Sequence, residues 1–288
     1  MQTTYPAPTA PAVRTGVAGW IARHPFAAFL IWLYTVGQVF AFIPVVVDVP
    51  VPRQLFVVAA TVFGIFLPAL AATWIADGRD AAMRFLRRLV DWRVAIRWYV
   101  LALVVVPLVA VALARLFLGA PADTSPSALV DALISGFALS FLLTLVPNNW
   151  LEEGAWSGFA QARLHRTHTA VVAALIIAPL FALQHVSLAV GNPLALVLLA
   201  VLAIPFRMLT GFIWNGTGSL FVLGFLHAAG NAVGGGSGFT DGFLRHLYPD
   251  AAATAGLMHL LAFAVVGIVV LVATRGRLGG RRTDGGER

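Results

Sequence analysis

The chain has 288 residues, of which 60% are hydrophobic and 11% are charged, and its mean hydropathy is +0.88. Soluble domains carry about a quarter charged residues, so this composition excludes an ordinary water-soluble enzyme and predicts a membrane protein. The net charge is +7, every one of the 19 basic residues is arginine, and there is no cysteine. The absence of cysteine excludes a disulfide framework, a cysteine nucleophile and cysteine-ligated zinc.

Continuous apolar segments recur along the whole chain. A hydrocarbon core of about 30 Å needs about 20 apolar residues in a helix, and lipid does not tolerate the exposed edge of a sheet. The segments are continuous rather than alternating, so we predict an all-α polytopic membrane protein, a bundle of about eight transmembrane helices. The predicted spans are residues 25–47, 54–76, 98–119, 128–146, 170–190, 194–214, 219–234 and 255–274.

The arginines predict how these spans are oriented. Fifteen arginines fall in the even-numbered loops and the two tails, three fall on the other side, and Arg207 lies inside the sixth span. Basic residues accumulate in cytosolic loops, so the asymmetry predicts that both termini are cytosolic. The Arg-rich, Lys-free composition is typical of a GC-rich bacterium. We therefore expect the bacterial plasma membrane as the location, and a lipid bilayer rather than nucleic acid as the partner of the basic loops.

Three segments outside the spans complete the predicted organisation. Residues 1–24 form a cytosolic N-terminal tail, and residues 275–288 form an Arg/Gly C-terminal tail that we expect to be disordered. Residues 79–97 carry six arginines interleaved with apolar residues at helical spacing, which predicts a basic amphipathic helix on the anionic cytosolic leaflet. Residues 25–274 are then a single transmembrane domain.

Ionisable and amide side chains inside apolar spans are costly, which makes them candidates for function. Glu152 and Glu153 follow the fourth span, and we expect a longer helix, bent at Pro147, to carry them below the cytosolic surface. His185 lies in the fifth span, and His227 and Asn231 lie one helical turn apart in the seventh. Each group alone is also consistent with a packing role. Together they supply a base, a partner for activating water and donors for an oxyanion, which indicates peptide hydrolysis.

The order and spacing of these motifs resemble a known family. EEGAWSGFAQARL (152–164), FALQH (181–185) and HAAGN (227–231) are similar to the Glu-Glu-x-x-x-Arg, Phe-x-x-x-His and His-x-x-x-Asn/Ser motifs of the CPBP family. This family of intramembrane proteases, also called Abi, includes the CAAX prenyl endopeptidases of type II and bacteriocin-processing relatives. The resemblance covers about residues 128–235, and the family has eight helices.

The resemblance implies a role for each candidate residue. Glu152 and His185 would activate the attacking water, His227 and Asn231 would stabilise the oxyanion, and Glu153 would orient and tune the site. The substrate would be a peptide or a segment of a membrane protein. The family has been described both as glutamate proteases and as metalloproteases. We favour catalysis without a cofactor, while Glu152, His185 and His227 would be the ligands if a divalent metal such as zinc were required.

One position departs from the family pattern. Ser157 stands where the first motif usually has arginine. Arg207 could supply the cation from the sixth helix, or its side chain could extend to the cytosolic interface instead. The departure favours one alternative to an endopeptidase, a catalytically silent relative that acts as an immunity or scaffold protein. Independently of it, the same polar cluster is consistent with a membrane transporter or binding protein.

Overall fold

The chain forms a bundle of α-helices in a computed structural model that describes residues 15–235 and 239–279. No strand occurs within those two ranges. The short 3₁₀ turns Val186–Ala189 and Pro249–Ala251 precede α8 and α11. The helices are α1 (Gly16–Arg23), α2 (Pro25–Val46), α3 (Arg53–Asp77), α4 (Arg79–Leu89), α5 (Ile96–Leu118), α6 (Pro126–Leu164), α7 (Ala170–Gln184), α8 (Pro193–Thr217), α9 (Leu220–Val233), α10 (Phe243–Leu247) and α11 (Ala252–Ala273).

Eight of these helices form the membrane domain. Six of them, α2, α3, α5, α6, α8 and α11, are long and apolar enough to cross a bilayer. The other two, α7 and α9, are shorter apolar helices of 15 and 14 residues. The prediction of an all-α polytopic membrane protein with about eight spans is therefore confirmed.

Two helix boundaries differ from the predicted spans in ways that affect the polar residues. The fourth span, predicted to end at residue 146, continues in one helix to Leu164, as the expectation of a longer helix required. The fifth, predicted to reach residue 190, ends at Gln184. The amide of His185 bonds the carbonyl of Ala182 instead of continuing the α-helical pattern, and a 3₁₀ turn follows. His185 therefore follows α7 rather than lying inside it.

The basic segment forms a shorter helix than predicted. α4 spans Arg79–Leu89, and residues 90–95 turn back toward α5. Ala82 and Phe85 are buried, and the Phe85 ring stacks on Phe66 of α3 with 5.7 Å between the ring centroids. One face of α4 thus packs on the bundle, while its arginines lie on the other face.

The predicted tails lie partly outside the described residues, which exclude 1–14 and 280–288. At the N-terminus, α1 occupies the last part of the predicted tail. At the C-terminus, residues 275–279 form a packed turn, which differs from the predicted disorder. The Leu278 side chain is buried, and its carbonyl accepts a hydrogen bond of 2.9 Å from the Asn215 side chain.

Small residues allow the helices to approach closely. Gly37 of α2 faces Gly64 of α3, and a Cβ on Gly64 would lie 2.6 Å from the Gly37 Cα atom. Gly267 of α11 packs against Pro205 of α8 in the same manner, and a Cβ on Gly267 would lie 2.1 Å from the Pro205 carbonyl oxygen. In lipid, such contacts provide much of the packing energy between helices, because there is no hydrophobic gain from bringing apolar surfaces together.

We expect Gly64→Val to destabilise the protein by about 1–3 kcal/mol, because the new side chain would force α2 and α3 apart. The measurement is the thermal unfolding midpoint of the purified protein in detergent. Ala71→Val, on the exposed face of the same helix, is the matched control. Equal midpoints for the two variants would contradict the close crossing of α2 and α3.

Candidate functional site

The two glutamates lie in a short α-helical turn of α6, Trp150–Glu153. The backbone widens to a π-helical pattern on both sides, at Leu145–Asn149 and Gly154–Gln161. The same pattern recurs in α2, α3 and α5, so it does not by itself mark the site. Both glutamates are buried, and as neighbours on a helix they point in different directions.

Glu153 is the centre of a buried hydrogen-bond network. Arg207 of α8 binds it through two parallel bonds of 2.9 and 3.0 Å, from Nη2 to Oε1 and from Nη1 to Oε2. The Ser157 hydroxyl donates to Oε2 at 2.6 Å, and His227 Nδ1 lies 2.9 Å from Oε1. The two oxygens of Glu153 thus accept four bonds, so this side chain is held in one orientation.

Arg207 is completely buried, so its side chain does not extend to the interface. Its guanidinium lies 4.1 Å from the Phe181 ring centroid and 4.6 Å from that of Phe206. The two ring faces add a cation–π attraction to the ion pair. Ser157 stands in the first motif at the position where arginine is usual. Arg207 supplies a cation beside the glutamate pair from another helix.

Glu152 is held from a different direction. Gln184, the last residue of α7, donates from Nε2 to Glu152 Oε1 at 2.6 Å, and the Trp156 indole donates to Gln184 Oε1 at 2.5 Å. Gln184 is not among the site residues predicted from the sequence. A signal was present, since this amide sits in an apolar span directly before His185.

His185 presents one ring nitrogen to Glu152. Its Nδ1 lies 2.8 Å from the Phe181 carbonyl, which can only accept, so Nδ1 carries the proton. In the neutral ring Nε2 is then an acceptor, and it lies 3.7 Å from Glu152 Oε1. That distance is too long for a direct hydrogen bond and leaves the two groups free to share a third partner. The His185 side chain is 24% exposed, whereas that of Glu152 is 4% exposed.

His227 bridges the two glutamates. Its Nδ1 bonds Glu153 and lies 3.9 Å from Glu152 Oε2. This bond fixes the ring so that Nε2 is directed away from Glu153. Asn231 follows one helical turn later on α9, on the same face, and is partly exposed.

These residues surround a cavity of about 670 Å³ whose wall is mostly apolar. Glu152, His185, His227 and Asn231 line it, while Glu153 lies behind His227. The five predicted site residues, from α6, the end of α7 and α9, are thus assembled at one place. An extended peptide could lie in a cavity of this size with a carbonyl near Glu152.

Glu152, His185 and His227 are the predicted ligands if a metal ion is required. Among the described residues, no three His, Asp or Glu side chains are grouped so that they could hold one. In the trio Glu152, His185 and His227, the Nδ1 atoms of both histidines face oxygen acceptors, which leaves each Nε2 free, and Gln184 occupies one oxygen of Glu152.

The sequence of residues 134–233 matches the family described as type II CAAX prenyl endopeptidase Rce1-like. This stretch covers Glu152, Glu153, His185, His227 and Asn231, so the resemblance seen in the motifs is confirmed for the central part of the chain. No curated protein matches the chain.

We expect Arg207→Met to destabilise the protein by about 3–5 kcal/mol, because it leaves the buried Glu153 carboxylate without its cation. The double variant Arg207→Met/Glu153→Gln removes both charges and should recover much of that loss. Thermal unfolding of the two single variants and the double variant gives the coupling free energy. Additive losses would contradict a direct pair.

Proposed function

Since residues 134–233 place the core of this chain with the CAAX-protease-like family, we propose that it is an intramembrane endopeptidase that hydrolyses a peptide bond with a water activated by Glu152 and His185. The observation that carries the proposal is the arrangement of Glu152. This carboxylate is buried, oriented by Gln184 and turned toward the cavity, at 3.7 Å from an acceptor nitrogen of His185.

The first step is the activation of water. A water placed between Glu152 Oε1 and His185 Nε2 would donate one proton to each acceptor and direct a lone pair into the cavity. When the oxygen attacks a peptide carbonyl, Glu152 takes one proton. It can return that proton to the amine that leaves when the carbon–nitrogen bond breaks. No covalent enzyme intermediate is needed.

The second step is stabilisation of the oxyanion. His227 Nε2 and the Asn231 amide are directed to the same cavity and can donate to the tetrahedral oxygen. Because Nδ1 of His227 bonds Glu153, Nε2 carries a proton only when the ring is an imidazolium. Glu153 lies beside that ring and is itself paired with Arg207.

The alternatives receive less support from the site. The catalytically silent relative was suggested by Ser157, and Arg207 supplies a cation at the same glutamate pair. A transporter that used the cluster for proton transfer would have no use for an oriented His227–Asn231 donor pair facing the same cavity. We propose a peptide or a segment of a membrane protein as the substrate, and the bacterial plasma membrane as the location.

We expect Glu152→Gln to lower kcat by about 10²–10⁴-fold, because the amide cannot take the proton of the water. The measurement is cleavage of a peptide library by the purified protein in detergent. Asp131→Asn, the same chemical change at an exposed position of α6, is the control and should leave cleavage unchanged. Equal turnover by both variants would contradict the role of Glu152.

A chelator separates the two forms of water activation. We expect cleavage to survive an excess of chelator, because Glu152 and His185 activate the water in this proposal without a metal. Loss of cleavage on chelation, followed by recovery on adding zinc, would instead support Glu152, His185 and His227 as metal ligands.

We expect Asn231→Ala to lower kcat by about 10²–10³-fold with little change in KM, because the amide acts on the oxyanion rather than on the bound substrate. Asn231→Ser keeps a donor at this position and should retain part of the activity. A change confined to KM would instead place Asn231 in substrate binding.

A further inference from the structure

The position of the cavity within the bundle indicates the side of the membrane from which it is reached. The cavity is lined by α2, α3, α8, α9 and α11. Nearly all of the lining residues lie in one half of the bundle, the half opposite to the side where α2 begins and α11 ends. On α3 the lining residues run from Arg53 to Ile65, and on α8 they run from Ala195 to Phe206. Glu152 of α6 lies at the inner end.

The loops around the cavity belong to the same side. Residues 187–189, between α7 and α8, line it, as do Arg53 at the start of α3 and Gly235 after α9. Arg245 of α10 completes this group. The chain crosses the membrane once in each of the eight membrane helices, so successive connections alternate between the two faces of the bundle. All of these positions lie at connections on the face opposite to the one where α2 begins and α11 ends.

The other face of the bundle, where α2 begins and α11 ends, carries most of the positive charge. Arg163, at the end of α6, pairs with Asp77 at the end of α3, and α4 lies beside them with its four arginines. Of the arginines that the structure describes, eleven lie on this side and three on the other. Loops this short and this basic remain in the cytosol.

The geometry points to a cavity that opens to the extracytosolic side of the membrane. The substrate is then a peptide segment that has already crossed the bilayer or that protrudes from its outer face. That a substrate uses this opening rests on the proposed function. The direction of access rests only on the cavity and the arginines.

The sequence offers a direct test, because it has no native cysteine. Leu199 of α8 lines the cavity, whereas its neighbour Leu198 does not line it and is 51% exposed on the outside of the bundle. Met83 of α4 is 41% exposed on the terminal side. The variants Leu199→Cys, Leu198→Cys and Met83→Cys therefore report on the cavity, the lipid and the cytosolic face.

The probe is a charged methanethiosulfonate reagent that does not cross membranes, applied to intact bacterial cells and to inside-out vesicles. A thiol reacts through its thiolate, which forms in water and not in lipid. We expect Leu199→Cys to be labelled in intact cells, Met83→Cys to be labelled only in inside-out vesicles, and Leu198→Cys to be labelled in neither. Labelling of Leu199→Cys only in inside-out vesicles, or equal labelling of residues 198 and 199, would overturn the inference.

Cleavage assays on the same variant separate this inference from the proposed function. In purified wild type, peptide cleavage tests the function regardless of orientation. If peptides are cleaved but Leu199→Cys reacts only from the cytosolic side, the access inference fails and the function stands. If the labelling follows the expectation but no peptide is cleaved, the function fails and the open cavity stands. If both hold, the reagent should block cleavage by Leu199→Cys, and wild type should be unaffected.

Discussion

The paired charges of Glu153 and Arg207 constrain the rest of the site. A carboxylate and a guanidinium that are both completely buried in an apolar bundle would each cost several kcal/mol alone, so each depends on the other for its place. The pair joins α6 to α8, and through His227 it also fixes α9. Two phenylalanine rings cover the guanidinium, so the ion pair and the surrounding core form one packed unit.

Two adjacent glutamates acquire different roles because neighbouring residues of a helix point in different directions. Glu153 is turned into the protein and has both oxygens occupied. Glu152 is turned to the cavity, with Gln184 on one oxygen and the other near His227. A carboxylate that is fully occupied is suited to orienting a neighbour, and one that is partly free is suited to exchanging a proton. The geometry therefore separates a carboxylate held inside the bundle, Glu153, from one that faces the cavity, Glu152.

Much of the architecture was predictable because it depends on local properties of the chain. Span length follows from hydropathy, so about eight helices were expected and are present. The individual boundaries were less predictable. α7 ends at Gln184 although the apolar sequence continues, because the chain tightens to bond His185 to Ala182. α6 extends past Val146 to Leu164, as its glutamates led us to expect, although its hydropathy alone predicted an end at residue 146.

The sequence by itself determined which residues are candidates, because ionisable and amide groups are rare in apolar spans and the motifs that contain them are recognisable. Glu152, Glu153, His185, His227 and Asn231 were all identified in this way. The tertiary structure alone decided the partners of these residues. Arg207 lies 54 residues after Glu153, and the sequence allowed it either to pair inside the bundle or to extend to the interface. The helix packing places it between two rings and against Glu153. The contact of Gln184 with Glu152 and the lining of the cavity also depend on distant segments, which no local pattern encodes.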